Sequence, residues 1–66
     1  MQKHAITIRG HRTSISLEPE FWVALKDLAA RQNRPLATLV AEVDTARKDQ
    51  GLSSALRLYV LKQLRR

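Results

Sequence analysis

The chain has no cysteine, which excludes disulfides, iron–sulfur clusters and cysteine-ligated zinc. It has only two glycines, two prolines and three aromatic residues in 66 positions. A domain of this length buries only about 60% of its unfolded surface. Without a disulfide or a metal, the usual reinforcement is oligomerisation, and a homodimer is the simplest closed form. No apolar run approaches the roughly 18 residues that cross a membrane, so no membrane partner is expected. The opening "MQKHAITIRGHR" lacks the apolar core and small-residue cleavage site of a secretory signal. The expected location is the cytoplasm, since nothing speaks for an oxidising compartment.

Catalytic apparatus is missing too. The sequence has no Gly-rich phosphate loop, paired-carboxylate motif or Cys–His arrangement, and His11 near Ser14 is a lone neighbour. No enzyme is expected. His4 and His11 have no carboxylate cluster beside them and read as solvated or backbone-facing residues, so neither metal nor cofactor is expected. Acids are absent from both ends of the chain. Residues 1–17 carry Lys3, Arg9 and Arg12, and residues 50–66 carry Arg57, Lys62, Arg65 and Arg66. All six acids lie in 18–49 against five basic residues, a net of −1 inside an overall +6. Basic ends around a nearly neutral middle are the footprint of a polyanion binder.

What is present begins with alternation. In "AITIRGHRTSISLEP", Ile6 and Ile8 fall on even positions, whereas Ile15 and Leu17 fall on odd ones. A two-residue hairpin with Gly10 in the first turn position would set Ile8 opposite Thr13 and Ile6 opposite Ile15. A bulge at Gly10 in one continuous strand would flip the alternation equally well. The principal strand is expected at about 12–17, with 5–9 undecided. Within it Thr13, Ile15 and Leu17 share one face, and Arg12, Ser14 and Ser16 the other.

Helical signals follow. Pro19 suits a first helical turn, Glu18 and Glu20 complement its dipole, and Phe21, Leu25, Leu28 and Ala29 form an apolar stripe. With Asn33 as a left-handed stop, a helix is expected at about 19–32. A second, at about 36–47, would bury Leu36, Leu39, Val40 and Val43. Gly51 then turns the chain into a third at about 53–64, with Ser53 as its N-cap. From Ala55 to Leu61 only Arg57 is polar, so this helix calls for cover on more than one side. A partner chain would supply it, and the expected dimer core is Ile15, Leu17, Leu25, Leu56, Tyr59 and Val60.

The order "RTSISLEPEFWVALKDLA" followed by "GLSSALRLYVL" resembles the ribbon-helix-helix DNA-binding proteins, the Arc and methionine repressor class. Together, "GHRTSISLEPEFW" and "LSSALRLYVL" resemble a compact bacterial subfamily, over roughly residues 9–64. The residues read as one domain, 1–66, mainly α with one short β-strand and about three helices per chain, one helix more than the basic family pattern. The resemblance implies an intertwined homodimer with an intersubunit antiparallel β-ribbon in the major groove of double-stranded DNA. Arg12, Ser14 and Ser16 would then read bases. Family members hold a phosphate at the start of their second helix, a role that falls here to Leu52, Ser53 and Ser54. Lys3, Arg9 and His11 are the further expected phosphate contacts. If instead 36–47 is the family's second helix, that clamp would fall near Pro35, which has no N–H to offer.

The function this suggests is a transcriptional regulator, a repressor or autoregulator at the nucleoid. The alternatives are an antitoxin-type regulator, or a module of the same fold that binds a protein or a small anionic effector. A basic membrane-surface helix at 53–66 fits less well, because its apolar circumference is too wide and its cations too terminal.

Overall fold

A computed structural model describes residues 2–65; Met1 and Arg66, the latter one of the C-terminal cations counted above, lie outside the described residues. The order is β1 (Gln2–Ile8), β2 (His11–Leu17), α1 (Pro19–Arg31), α2 (Leu36–Ala46) and α3 (Leu52–Leu64). The stretch before Gly10 is therefore a full strand, and the protein has two strands rather than one short one. The two pair antiparallel within the chain, which gives β2 a partner on one of its two edges.

The turn between them is Arg9–Gly10, with φ of 51° and 80°. Two consecutive positive φ values give the tight turn whose twist suits a hairpin, and glycine takes the second position without steric cost. Gly10 is thus the second turn residue, not the first. The pairs are Ile8 with His11, Ile6 with Thr13 and His4 with Ile15, one step away from the register expected with Gly10 first. Because the shift spans two residues, the faces are unchanged. Even positions of β1 meet odd positions of β2, which accounts for the phase change in the sequence.

Arginine at a positive φ is strained, and here its side chain is tied down. The Arg9 guanidinium donates to the Asp44 carboxylate at 3.1 Å, to the Ala41 carbonyl at 2.8 Å and to the Thr45 hydroxyl. These contacts pin the hairpin tip to the last turns of α2.

Pro19 opens α1 after Glu18, whose extended backbone (φ −62°, ψ 144°) is that of an N-cap. At the other end Asn33 takes φ 54°, Asn33 N–H donates to the Ala30 carbonyl and Arg34 N–H to that of Ala29. This pair of bonds closes the helix with a left-handed residue. The third helix begins one residue before its expected start. Its N-cap is Gly51, and no side chain caps it, so Ser53 lies inside the first turn rather than before it.

The core joins Ile8, Ile15 and Leu17 of the hairpin to Leu25, Leu28 and Ala29 of α1, Leu39, Val40 and Val43 of α2, and Ala55, Leu56 and Val60 of α3. Ile15, Leu17, Leu25, Leu56 and Val60 are each at most 2% exposed within the single chain. Tyr59, half-buried, accepts a 2.9 Å hydrogen bond from the Gln32 amide. The cover that α3 demands therefore comes from its own hairpin and helices. What remains outside is a ridge of Leu58, Leu61 and Leu64, 46–67% exposed.

Candidate nucleic-acid interface

A two-residue turn makes Ile8 and His11 a hydrogen-bonded pair, after which bonded and non-bonded pairs alternate. The pairs Thr7–Arg12, Ala5–Ser14 and Lys3–Ser16 are then non-bonded, with Cα atoms about 4.5 Å apart and side chains close together. All six side chains lie on the face away from the helices. Arg12, Ser14, Lys3, Ala5 and Thr7 are exposed, and Ser16 is half-buried. This face presents two cations and three hydroxyls and no acid. Arg12, Ser14 and Ser16 occur together on it, and β1 adds Thr7 beside Arg12 and Lys3 beside Ser16. The contribution of β1 was hidden by the undecided 5–9 stretch. Its signal was the alternation of Ile6, Thr7 and Ile8, which Gln2, Lys3 and His4, all polar, do not continue.

The other expected phosphate contacts divide. Leu52, Ser53 and Ser54 occupy the first turn of α3, where N–H groups have no partner inside the helix. Leu52 lines an open cleft of about 360 Å³ together with His11, Ser14 and Arg47, so the head of α3 and one end of the hairpin border the same space. Arg9 lines it as well, but its guanidinium is committed to α2. Arg47 donates from Nε to Asp44 at 2.7 Å and from a terminal nitrogen to the Gln50 carbonyl at 3.0 Å. The Arg47 hydrogen bond, followed by that of Arg9, holds the Asp44 carboxyl below its ordinary value.

At the other end of β2, Arg57 meets Glu18 with a fork, at 2.9 and 3.2 Å, and its guanidinium carbon lies 6.0 Å from the centre of the Phe21 ring. That hydrogen bond lowers the Glu18 pKa. One C-terminal cation is thus spent on orienting α3 against the start of α1. His4, expected to be solvated or backbone-facing, instead turns to the core face and stacks on Trp22 with ring centres 3.9 Å apart and planes 6° off parallel. The stack joins β1 to α1.

A polar, basic ribbon face backed by three helices is the arrangement that a family comparison then names. The model of the ribbon-helix-helix domain matches residues 1–64. The chain belongs to that family. No curated protein and no solved structure matches it. Ribbon-helix-helix domains are generally DNA-binding transcription regulators rather than enzymes, and they typically dimerise. No helix among the described residues is long and apolar enough to cross a membrane.

Proposed function

We propose that this ribbon-helix-helix protein is a homodimeric regulator of transcription that binds double-stranded DNA by laying the outer face of its hairpin in the major groove. The observation that carries this reading is the acid-free face of Arg12, Ser14 and Ser16 on a rigid ribbon whose opposite face is core. A two-stranded ribbon has the width to enter the major groove, where Arg bonds the O6 and N7 of guanine with two donors. Ser14 and Ser16 are short and both donate and accept, so they tolerate several base edges. Arg12 therefore carries most of the discrimination. The first-turn N–H groups of Leu52, Ser53 and Ser54, at the positive end of the α3 dipole, hold a backbone phosphate. His11 and Lys3 flank the groove, while Arg9 serves the hairpin. A regulator of this kind acts at the nucleoid in the cytoplasm.

The test is duplex binding as a function of salt. If two chains neutralise about six phosphates, the log–log slope is about −5, near 0.9 per phosphate. A slope near zero, with a protein partner retained at high salt, would replace this reading with the interaction-module one.

A further inference from the structure

Two arginines of this chain meet their carboxylates in different ways. Arg57 closes a fork on Glu18, with Nε at 2.9 Å from one oxygen and a terminal nitrogen at 3.2 Å from the other. Arg47 meets Asp44 through Nε alone, at 2.7 Å, and the second Asp44 oxygen accepts from Arg9 at 3.1 Å. One terminal nitrogen of Arg47 donates to the Gln50 carbonyl at 3.0 Å, and the other has no partner among the described residues. A guanidinium carries five N–H donors in a planar fork, so Arg47 still has donors to give.

These contacts form one line through the molecule. Arg9 sits in the hairpin turn, Asp44 in the last turn of α2, Arg47 just after it, and Gln50 just before Gly51, the N-cap of α3. No side chain caps α3, and the segment that enters it is shaped by the bond from Arg47 and by a 3.3 Å bond from Lys48 N–H to the Gln50 side chain. Arg47 also lines the cleft bordered by Leu52, His11 and Ser14, where Asp44 is the one acid among the described residues that line it. A bare carboxylate there would repel an anion. Asp44 is not bare: each oxygen is given to an arginine, and two arginines with one aspartate sum to +1. Exposed ion pairs add little to stability. What these pairs fix is a position.

We propose that Arg47 is a further phosphate ligand, giving its remaining donors to the same DNA backbone phosphate that the head of α3 holds, and that Asp44 is the residue that positions it there. The inference rests on the DNA-binding reading for the source of the phosphate, while the site itself rests on the cleft and its side chains. Arg9 has a part as well, because it occupies the second Asp44 oxygen. With that oxygen empty, Asp44 would draw Arg47 into a closed fork like that of Arg57 and take up donors that are now open. Guanidinium suits the task, since its planar donors match phosphate oxygens as well as carboxylate ones.

Duplex titrations over a range of salt test both roles, with thermal melting to confirm that each variant is folded. Arg47→Ala should flatten the log–log slope by about two, near 0.9 for each of two chains, and weaken binding to every sequence alike. Arg47→Gln removes the charge but keeps an amide donor for the Gln50 carbonyl, and should flatten the slope equally if Arg47→Ala folds poorly. Lys26→Ala takes the same charge from the exposed side of α1 and should leave the slope as it is. Asp44→Asn is the sharper test, because charge and position predict opposite signs. Loss of a negative charge alone would tighten binding to a polyanion, whereas loss of the anchor should weaken it by about threefold or more. Added to Arg47→Ala, Asp44→Asn should weaken binding no further. An unchanged slope for Arg47→Ala would overturn the ligand role, and tighter binding by Asp44→Asn the positioning role. If no duplex binds, yet inorganic phosphate shifts the Leu52 and Ser53 amide resonances in wild type and not in Arg47→Ala, the site stands and the DNA reading falls. Steeply salt-dependent duplex binding that ignores both variants reverses that result, and silence toward duplex and phosphate alike overturns both.

Discussion

On one face of the hairpin Ile8, Ile15 and Leu17 are at most 7% exposed; on the other, Lys3, Thr7, Arg12 and Ser14 all stand in solvent. Both faces come from the same two strands, residue by alternate residue. A strand forces this division, because successive side chains point to opposite sides. Folding is entrusted to one parity and recognition to the other, so neighbours in sequence should behave as residues of different kinds. The comparison can be broken most severely at Ile15 and Ser14. Ile15→Ala should cost about 2–5 kcal/mol, the range for emptying a close-packed aliphatic site. Ser14→Ala, one residue away, should change stability by no more than about 0.5 kcal/mol. Urea unfolding of both variants checks the contrast, and equal losses would mean that the two faces are not separate. Leu56→Lys extends the same test to α3. It buries a charge in a fully covered site and should leave the chain unfolded.

The outer face breaks differently. Arg12→Ala should leave the unfolding midpoint within error and lose about 1–3 kcal/mol of binding per symmetric contact, relaxing preference at one base pair in each half-site. Ser54→Asp adds a negative charge at the head of α3, which suits the helix but repels a phosphate. It should weaken binding to all duplexes alike, because phosphates carry no base identity. Selection of binding sites from a random pool separates the two results. Should Thr13 or Ile15 variants shift the selected motif while still folded, the faces would be assigned the wrong way round.

Much of this division was legible in the residues. Alternation of Ile15 and Leu17 with Ser14 and Ser16 assigns the faces of β2, and the stripes of α1 and α2 mark their buried sides. The turn was not so legible. Both Gly-first and Gly-second hairpins satisfy the alternation, and the observed Arg9–Gly10 turn is accompanied by a long-range tie from Arg9 to Asp44 and the end of α2, 35 residues away. Local sequence does not carry such a contact. The same holds for α3, whose apolar circumference called for a second subunit. β2 and the other two helices cover its inner side, while Leu58, Leu61 and Leu64 stay exposed. His4 shows the limit most simply: a polar residue on the apolar parity is absorbed by stacking on Trp22.

Arg9 offers a finer break, because it combines an unfavourable backbone with a favourable side chain. Arg9→Ala loses the tie to α2 and keeps the positive φ. Arg9→Asn also loses the tie but suits the left-handed backbone, and Asn-Gly is a preferred pair for this turn. Arg9→Asn should therefore be the more stable of the two by up to about 1 kcal/mol. Equal stabilities would mean that the turn relaxes once the tie is cut.

The smallest expected effect concerns the two carboxylates, Glu18 and Asp44, that hold ion pairs at the ends of the closed face. Glu18 is held below its ordinary pKa chiefly by the Arg57 hydrogen bond, and Asp44 by those of Arg47 and then Arg9. A carboxyl whose pKa is lower in the folded chain than in the unfolded one stabilises the fold once pH is above the unfolded value. That contribution drains away as pH falls through the lowered folded value. Both carboxylates are partly exposed, so solvent screening keeps the effect modest and salt should reduce it further. Thermal unfolding of wild type and a Glu18→Gln, Asp44→Asn double variant, followed from about pH 7 to about pH 3, should show midpoints that differ at neutral pH and converge in acid. Because Arg9–Asp44 fastens the hairpin to α2, Arg57–Glu18 fastens α3 to the start of α1, and neither lies on the outer face, the double variant should keep the wild-type preference among duplexes at neutral pH. A change in the selected motif would mean that the ends of the ribbon set the pose of Arg12, and that the two faces are coupled through them.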